Sequence, residues 1–155
     1  MPIAYHTRSR REDLPFAYYP SLVGLAEAVD TLIVIVPGTP STAKAVNAEV
    51  LAALGSQGVV INVGRGSTLD EAALIAALQG GTIAGAGLDV FENEPHVPEA
   101  LIAFPNVSLL PHVASASVVT RNAMADLVVD NLKAWFSTGR ALTPVPETPF
   151  ERKGR

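Results

Sequence analysis

The 155-residue chain contains no cysteine. That excludes a disulfide framework and a thiolate zinc site, no metal centre is expected, and the composition suits a cytoplasmic setting. Charge is sparse, with 17% charged residues and a formal net charge of −4. Such a balance is ill suited to the phosphate backbone of nucleic acid, so no nucleic-acid partner is expected. No apolar run approaches the ~18 residues of a membrane span, so no membrane partner is expected either. Met1-Pro2-Ile3-Ala4-Tyr5 lacks the basic stretch and long apolar run of a signal peptide. There is also no G-x-G-x-x-G. The two bare pairs, Gly64-Arg65-Gly66 and Gly85-Ala86-Gly87, have Leu69 and Val90 where the third glycine would stand. They read as strand-adjacent turn or close-packing glycines.

What is present is a core. Apolar residues make up 48% of the chain, enough for one globular domain. Strands are expected at 3–6, 31–36, 58–63, 83–90 and 107–110. Between them Leu22, Val23, Leu25, Ala26 and Val29 have helical spacing behind a possible Ser21 cap, and helices are expected at 48–54 and 70–78. Continuously apolar strands alternating with short helices predict a parallel sheet covered on both faces. A long amphipathic helix is expected from Ser115 to about Ser137, with Val118, Val119, Met124, Leu127, Val128, Leu132, Trp135 and Phe136 on its apolar side. An extended tail follows.

Three strands deliver an ionisable residue just past their carboxyl ends, where open α/β sheets bind ligands. Val59-Val60-Ile61-Asn62-Val63-Gly64-Arg65-Gly66 brings Arg65. Gly87-Leu88-Asp89-Val90-Phe91-Glu92-Asn93-Glu94-Pro95 brings Glu94, and Leu109-Leu110-Pro111-His112 brings His112. Arg65 could bind a substrate carboxylate bidentately, or cap the following helix, or pair with Asp70. His112 could supply a proton near neutral pH, or be a hydrogen-bonded structural residue. A nearby carboxylate would fix its tautomer; Glu94 and Glu92 are both placed to do so, and either could be a solvated loop residue. Asp89 could be a turn residue. Thr39-Pro40-Ser41-Thr42 after Val36-Pro37 reads equally as an ordinary loop.

In wording and order these motifs resemble the D-isomer-specific 2-hydroxyacid dehydrogenases, most closely their hydroxypyruvate, glyoxylate and hydroxyphenylpyruvate reductase branch. The resemblance runs over roughly residues 1–145 and covers only the C-terminal half of a family member. It implies a catalytic set of Arg65, Glu94 and His112: the arginine clamps the carboxylate of a small 2-oxo acid, the histidine donates a proton, and the glutamate of the D-V-F-x-x-E-P motif supports the histidine. It implies a cofactor site at Val63, Gly64 and Arg65, at Asp89, His112 and Ala114, and at Pro37 and Thr42 of the T-P-x-T loop. The first strand ends in His6-Thr7-Arg8-Ser9-Arg10, with no acid before Glu12. An acid there takes the 2′-hydroxyl of NAD and an arginine accommodates the 2′-phosphate of NADP. Thr7, Arg8, Ser9 and Arg10 therefore point to NADP(H), with NAD(H) possible, unless they form a solvated basic loop. Ala114 stands where the family usually has glycine, which adds a methyl near the expected nicotinamide.

The expected fold is a partial Rossmann-type parallel sheet with helices on both faces, followed by a long crossing helix. Residues 1–114 would be a cofactor-binding domain lacking its first strand and glycine-rich loop, 115–138 the helix and 139–155 the tail. The expected function is the C-terminal part of an NADPH-dependent reductase of 2-oxo acids, dimeric in the intact enzyme. The rival readings are a non-catalytic remnant and an association module without cofactor binding.

Overall fold

The computed structural model describes residues 1–145. It divides the chain into two compact units, the first ending at His112 and the second beginning at Val113.

In the first unit, β1 (Ala4–Tyr5) and β2 (Ala17–Tyr18) form a parallel pair. The rings of Tyr5 and Tyr18 lie 5.4 Å apart across it. There follow α1 (Leu22–Glu27), β3 (Thr31–Val34), α2 (Ala48–Leu54), β4 (Val59–Asn62), a 3-10 turn (Gly66–Thr68), α3 (Glu71–Gln79), β5 (Gly85–Leu88), α4 (Glu99–Ile102) and β6 (Val107–Leu109). The helices start where side chains satisfy free amides: Ser21 accepts from Gly24, Asn47 from Val50 and Asp70 from Ala73. Gly55, at φ +80°, ends α2 in a conformation that a side chain would resist.

Strands β3-β4-β5-β6 form one four-stranded sheet, parallel throughout. The fold class is therefore the parallel α/β architecture that the alternation of strands and helices predicts. Register sorts the side chains into rows. Leu32, Val60 and Ala86 pair side by side, as do Val34, Asn62 and Leu88, and all six are buried. Helix α1 packs on α2 and α2 on α3, and their buried residues share one core with these rows. The other face is less covered. Ile33 and Ile35 are 55% and 73% exposed, so the cover on both faces that the apolar runs imply is not supplied there by this unit. The pair β1-β2 stands apart from the four-stranded sheet. Neither β2 nor α4 is marked by the sequence pattern, because two and four residues are too short to show a period.

The second unit is dominated by α5 (Val118–Thr138), capped by Ser117, whose hydroxyl accepts from the Thr120 amide, and ended by Gly139 at φ +75°. It begins three residues after the expected Ser115 because the cap is Ser117. No residue of α5 is buried. Asn131 exchanges two hydrogen bonds with Thr143, each 3.0 Å, and so holds the start of the tail to the helix. The rest of the expected tail, 146–155, lies outside the described residues. Among the described residues no helix is long and apolar enough to cross a membrane.

Leu74 of α3 is completely buried in the core of the first unit. Leu74→Ala should cost about 2–5 kcal/mol of unfolding free energy, the usual range for a core leucine that leaves a cavity. Urea denaturation measures it, and a loss below about 0.5 kcal/mol, the size of a surface substitution, would place Leu74 outside the core.

Candidate active site

Because β3 to β6 are parallel, their carboxyl ends share one edge of the sheet, and ladder bonds continue past the strands there. The Val63 amide donates to Val34, Asp89 to Asn62 and Leu110 to Leu88, at 3.1, 3.0 and 2.8 Å. Four loops leave this edge, and three of them carry Arg65, Glu94 and His112.

The first loop is shaped by Asn62, a polar side chain with 0% exposure at the end of an apolar strand. Its Oδ1 accepts from the Gly64 amide and its Nδ2 donates to the Arg65 carbonyl, both at 3.1 Å. The buried Thr68 hydroxyl donates to the same carbonyl at 2.6 Å. The turn holding Val63, Gly64 and Arg65 is thus fixed from inside, while the Arg65 side chain stays exposed. Arg65 Nη1 donates to the Gly64 carbonyl at 2.7 Å. The alternative pairing with Asp70 does not form: Asp70 caps α3 and meets Lys44 Nζ at 3.4 Å. Gly64 is required by close approach, since a Cβ there would lie 2.7 Å from the Val36 carbonyl oxygen.

The second loop carries Glu94. One carboxylate oxygen accepts from the Phe91 amide at 3.1 Å, and the other accepts from His112 Nδ1 at 2.8 Å. Glu92, the rival candidate, points elsewhere, with a carboxylate oxygen 3.6 Å from Lys44 Nζ. The bond from His112, then the Phe91 amide, holds the Glu94 carboxyl below its ordinary value of 4.5, with the charges of His112 and Arg65 adding smaller shares.

The third loop ends in His112, whose φ of +54° lies in the left-handed region, a conformation that costs a non-glycine residue about 1–2 kcal/mol. Since the Glu94 carboxylate accepts, Nδ1 carries the hydrogen, and Nε2 is the nitrogen left for proton exchange. The side chains of His112 and Glu94 are 46% and 37% exposed, so the pair is reachable. Beside it lies a cavity of about 300 Å³, walled by the apolar Phe91, Pro95, Val97 and Leu109.

Of the remaining candidates, Pro37 belongs to a loop that lies against the first loop, since a Cβ on its neighbour Gly38 would come 3.1 Å from the Arg65 Cβ. Asp89 is buried at 2% exposure at the end of β5. Thr42 donates to the Pro37 carbonyl at 2.6 Å and accepts from the Thr39 amide, closing the loop after β3. Thr7, Arg8, Ser9 and Arg10 are exposed beyond β1. There the Thr7 hydroxyl donates to the Ser9 carbonyl at 2.6 Å, and Arg10 makes a solvated pair with Glu12 at 3.6 Å. Ala114 belongs to the second unit. Sequence reasoning missed Asn62, Thr68 and Glu71 as shaping residues. A buried-looking strand ending in Asn was the one available signal, because such a group must find partners. Among the described residues no group of three or more His, Asp or Glu could hold a metal ion.

Residues 1–114 match the family model of the D-isomer specific 2-hydroxyacid dehydrogenases, NAD binding domain. Glyoxylate/hydroxypyruvate reductase A of Arabidopsis thaliana is 54% identical over 144 residues, covering 93% of this chain and 46% of that protein. The hydroxyphenylpyruvate reductase of Plectranthus scutellarioides gives the same identity and coverage. Among solved structures, the NADPH-dependent glyoxylate/hydroxypyruvate reductase of Sinorhizobium meliloti, in complex with NADP and malonate, is 80% identical with a TM-score of 0.92. That match covers 99% of this chain and 48% of that one. The D-mandelate dehydrogenase of Rhodotorula graminis, at 28% identity, has a TM-score of 0.91. The chain spans about half the length of these relatives.

The lowered titration of Glu94 gives its pairing a pH signature. A carboxyl whose folded value lies below 4.5 contributes stability in full above 4.5 and loses it as pH falls through the lowered value. Glu94→Gln should therefore be less stable than the parent at pH 7, with the difference shrinking as pH falls below 4.5. Asp13 and Asp70, also lowered, are common to both proteins and cancel. Urea midpoints across pH 3–7 test it, and a pH-independent difference would detach Glu94 from the histidine.

Proposed function

Since the chain belongs to the D-isomer specific 2-hydroxyacid dehydrogenase family, we propose that it is the C-terminal part of an NADPH-dependent reductase of small 2-oxo acids such as glyoxylate, hydroxypyruvate or an aryl pyruvate. The observation that carries this reading is the 2.8 Å bond between His112 Nδ1 and the Glu94 carboxylate, with the Arg65 charge close enough to help lower that carboxyl. Residues 1–114 would be the cofactor-binding portion, 115–138 the long helix and 139–155 the tail. The intact enzyme would be a homodimer, as the family resemblance implies, and cytoplasmic, a setting that the cysteine-free composition suits.

The residues fit the cofactor. Thr7, Arg8, Ser9 and Arg10 offer hydroxyl and guanidinium donors in the open beyond β1, and no carboxylate precedes Glu12. That donor set suits a 2′-phosphate. Val63 and Gly64, with Pro37, Thr42, Asp89 and Ala114, would hold the rest. NADPH, when bound, supplies the hydride for the 2-oxo carbon.

The chain's own groups handle the charge. Arg65 takes the substrate carboxylate with its planar fork, whose remaining donors are left over from the bond to the Gly64 carbonyl. His112 delivers a proton from Nε2 to the oxygen as negative charge develops on it. Glu94 holds the ring by Nδ1 and stabilises the imidazolium that precedes the transfer. The cavity of about 300 Å³ beside the pair gives one side of the site an apolar wall.

Joining this chain to the N-terminal half of the Sinorhizobium meliloti reductase gives a protein in which the reading can be tested. His112→Ala in that chimera should lower kcat by about 10²–10⁴-fold, the usual worth of a general acid, while NADPH binding survives. A rate within a few-fold of the parent would refute the role of His112.

The choice of cofactor is a separate test. Replacing Arg8 and Arg10 by neutral residues should erode the preference for NADPH over NADH by about 1–3 kcal/mol, as for lost charge-assisted hydrogen bonds. A parent chimera that already prefers NADH would remove both arginines from the cofactor site.

A further inference from the structure

We propose that Glu71 is a positioning residue for the His112–Glu94 pair: its buried carboxylate anchors the backbone of the loop that carries Glu94. Glu71 is the first residue of α3, where a glutamate is ordinarily solvated, yet it is only 8% exposed. Capping does not explain its burial, because Asp70 already accepts from the Ala73 amide. Instead Glu71 Oε1 accepts from the Glu92 amide at 2.7 Å, across 21 residues of sequence. The preceding amide, Phe91, is the one that Glu94 Oε1 accepts, and Glu94 Oε2 holds His112. One continuous path of hydrogen bonds and the backbone of a single residue, Phe91, therefore runs from α3 to the imidazole.

A second contact confines the same peptide. A Cβ on Gly66 would lie 1.9 Å from the Phe91 carbonyl carbon and oxygen and 2.5 Å from the Glu92 nitrogen. The Phe91–Glu92 peptide thus rests on the bare backbone of Gly66 while Glu71 binds its amide. Lys44 Nζ adds a solvated bridge, 3.4 Å from Asp70 and 3.6 Å from Glu92. Burial pushes the Glu71 carboxyl up, with the Glu92 amide and Lys44 opposing and the Glu92 charge adding to it. A desolvated carboxylate must find a hydrogen-bond donor, and the Glu92 amide supplies one.

The test is solution NMR on the 155-residue chain, with Glu71→Gln and Glu71→Ala. Gln keeps an acceptor oxygen for the Glu92 amide and Ala removes it. The unaltered chain should show a coupling across the hydrogen bond between the Glu92 amide nitrogen and the Glu71 carboxyl carbon. Glu71→Gln should keep the lowered titration of the Glu94 carboxyl and the His112 Nδ1–H signal. In Glu71→Ala, Glu94 should titrate closer to its ordinary value and the Nδ1–H signal should be lost, although Arg65 and His112, the charges facing Glu94, are unchanged. A folded Glu71→Ala chain with both signatures intact would overturn the proposal, because a merely structural role moves stability alone. Should Glu71→Ala not fold, Glu71→Asp decides in the same way, since its shorter side chain keeps the charge and withdraws the oxygen. Absence of the coupling in the unaltered chain also overturns it. The proposal rests on the reading of His112 as proton donor only for its consequence in turnover. A chimera indifferent to His112→Ala would remove that reading and leave the NMR result standing.

Discussion

A parallel sheet sends every strand in one direction, and the candidate site depends on that constraint. With β3, β4, β5 and β6 in parallel register, the Val34, Asn62, Leu88 and Leu109 row marks a common finishing line. The three residues beyond it are placed by how many steps each loop takes: Arg65 three residues after Asn62, Glu94 six after Leu88, and His112 three after Leu109. An antiparallel partner in any of these positions would deliver its loop to the opposite edge.

Strand ends alone leave the loops free to wander, and polar groups buried behind the site remove that freedom. Asn62 has no exposure and spends both ends of its amide on the Gly64–Arg65 backbone, joined by Thr68. Each bond contributes only about 1 kcal/mol net. Their larger effect is on alternatives, since any other loop path would leave a buried amide or hydroxyl without a partner, at about 1–3 kcal/mol each. Gly64 and Gly66 serve the same end sterically, because they admit the Val36 and Phe91 backbones at distances that a side chain forbids.

What the sequence makes legible follows the range over which each signal acts. Runs such as Val59 to Val63 are several residues long, and their periodicity carries the sheet and the longer helices. Arg65 and His112 are legible as candidates because each follows such a run, whereas Glu94 shares its loop with Glu92 and only the resemblance prefers it; the 2.8 Å bond to His112 is made by Glu94. Strand β2 and helix α4 are too short to announce themselves. The exposure of Ile33 and Ile35 is invisible in a continuously apolar run, which looks the same whether one face or both are covered. Glu71 is invisible for another reason. An acid in the first turn of a helix is expected for its interaction with the helix dipole, so nothing in its position suggests that it reaches the Glu92 amide 21 residues away.

Two glutamates on one short path are therefore driven in opposite directions by their surroundings. Glu94 is more than a third exposed and receives the His112 and Phe91 donors, so its charged form is favoured. Glu71 is buried, and desolvation favours its neutral form against the pull of the Glu92 amide. The division suits their positions. A carboxyl that must orient an imidazole has to be ionised whenever the ring carries or gives up its proton, and solvent access together with two donors keeps it so. A carboxyl that only holds a backbone amide needs a lone pair and no charge, since its carbonyl oxygen accepts in either protonation state. Burial can thus fix the loop rigidly at Glu71 without drawing Glu94 out of the ionised state on which the tautomer of His112 depends.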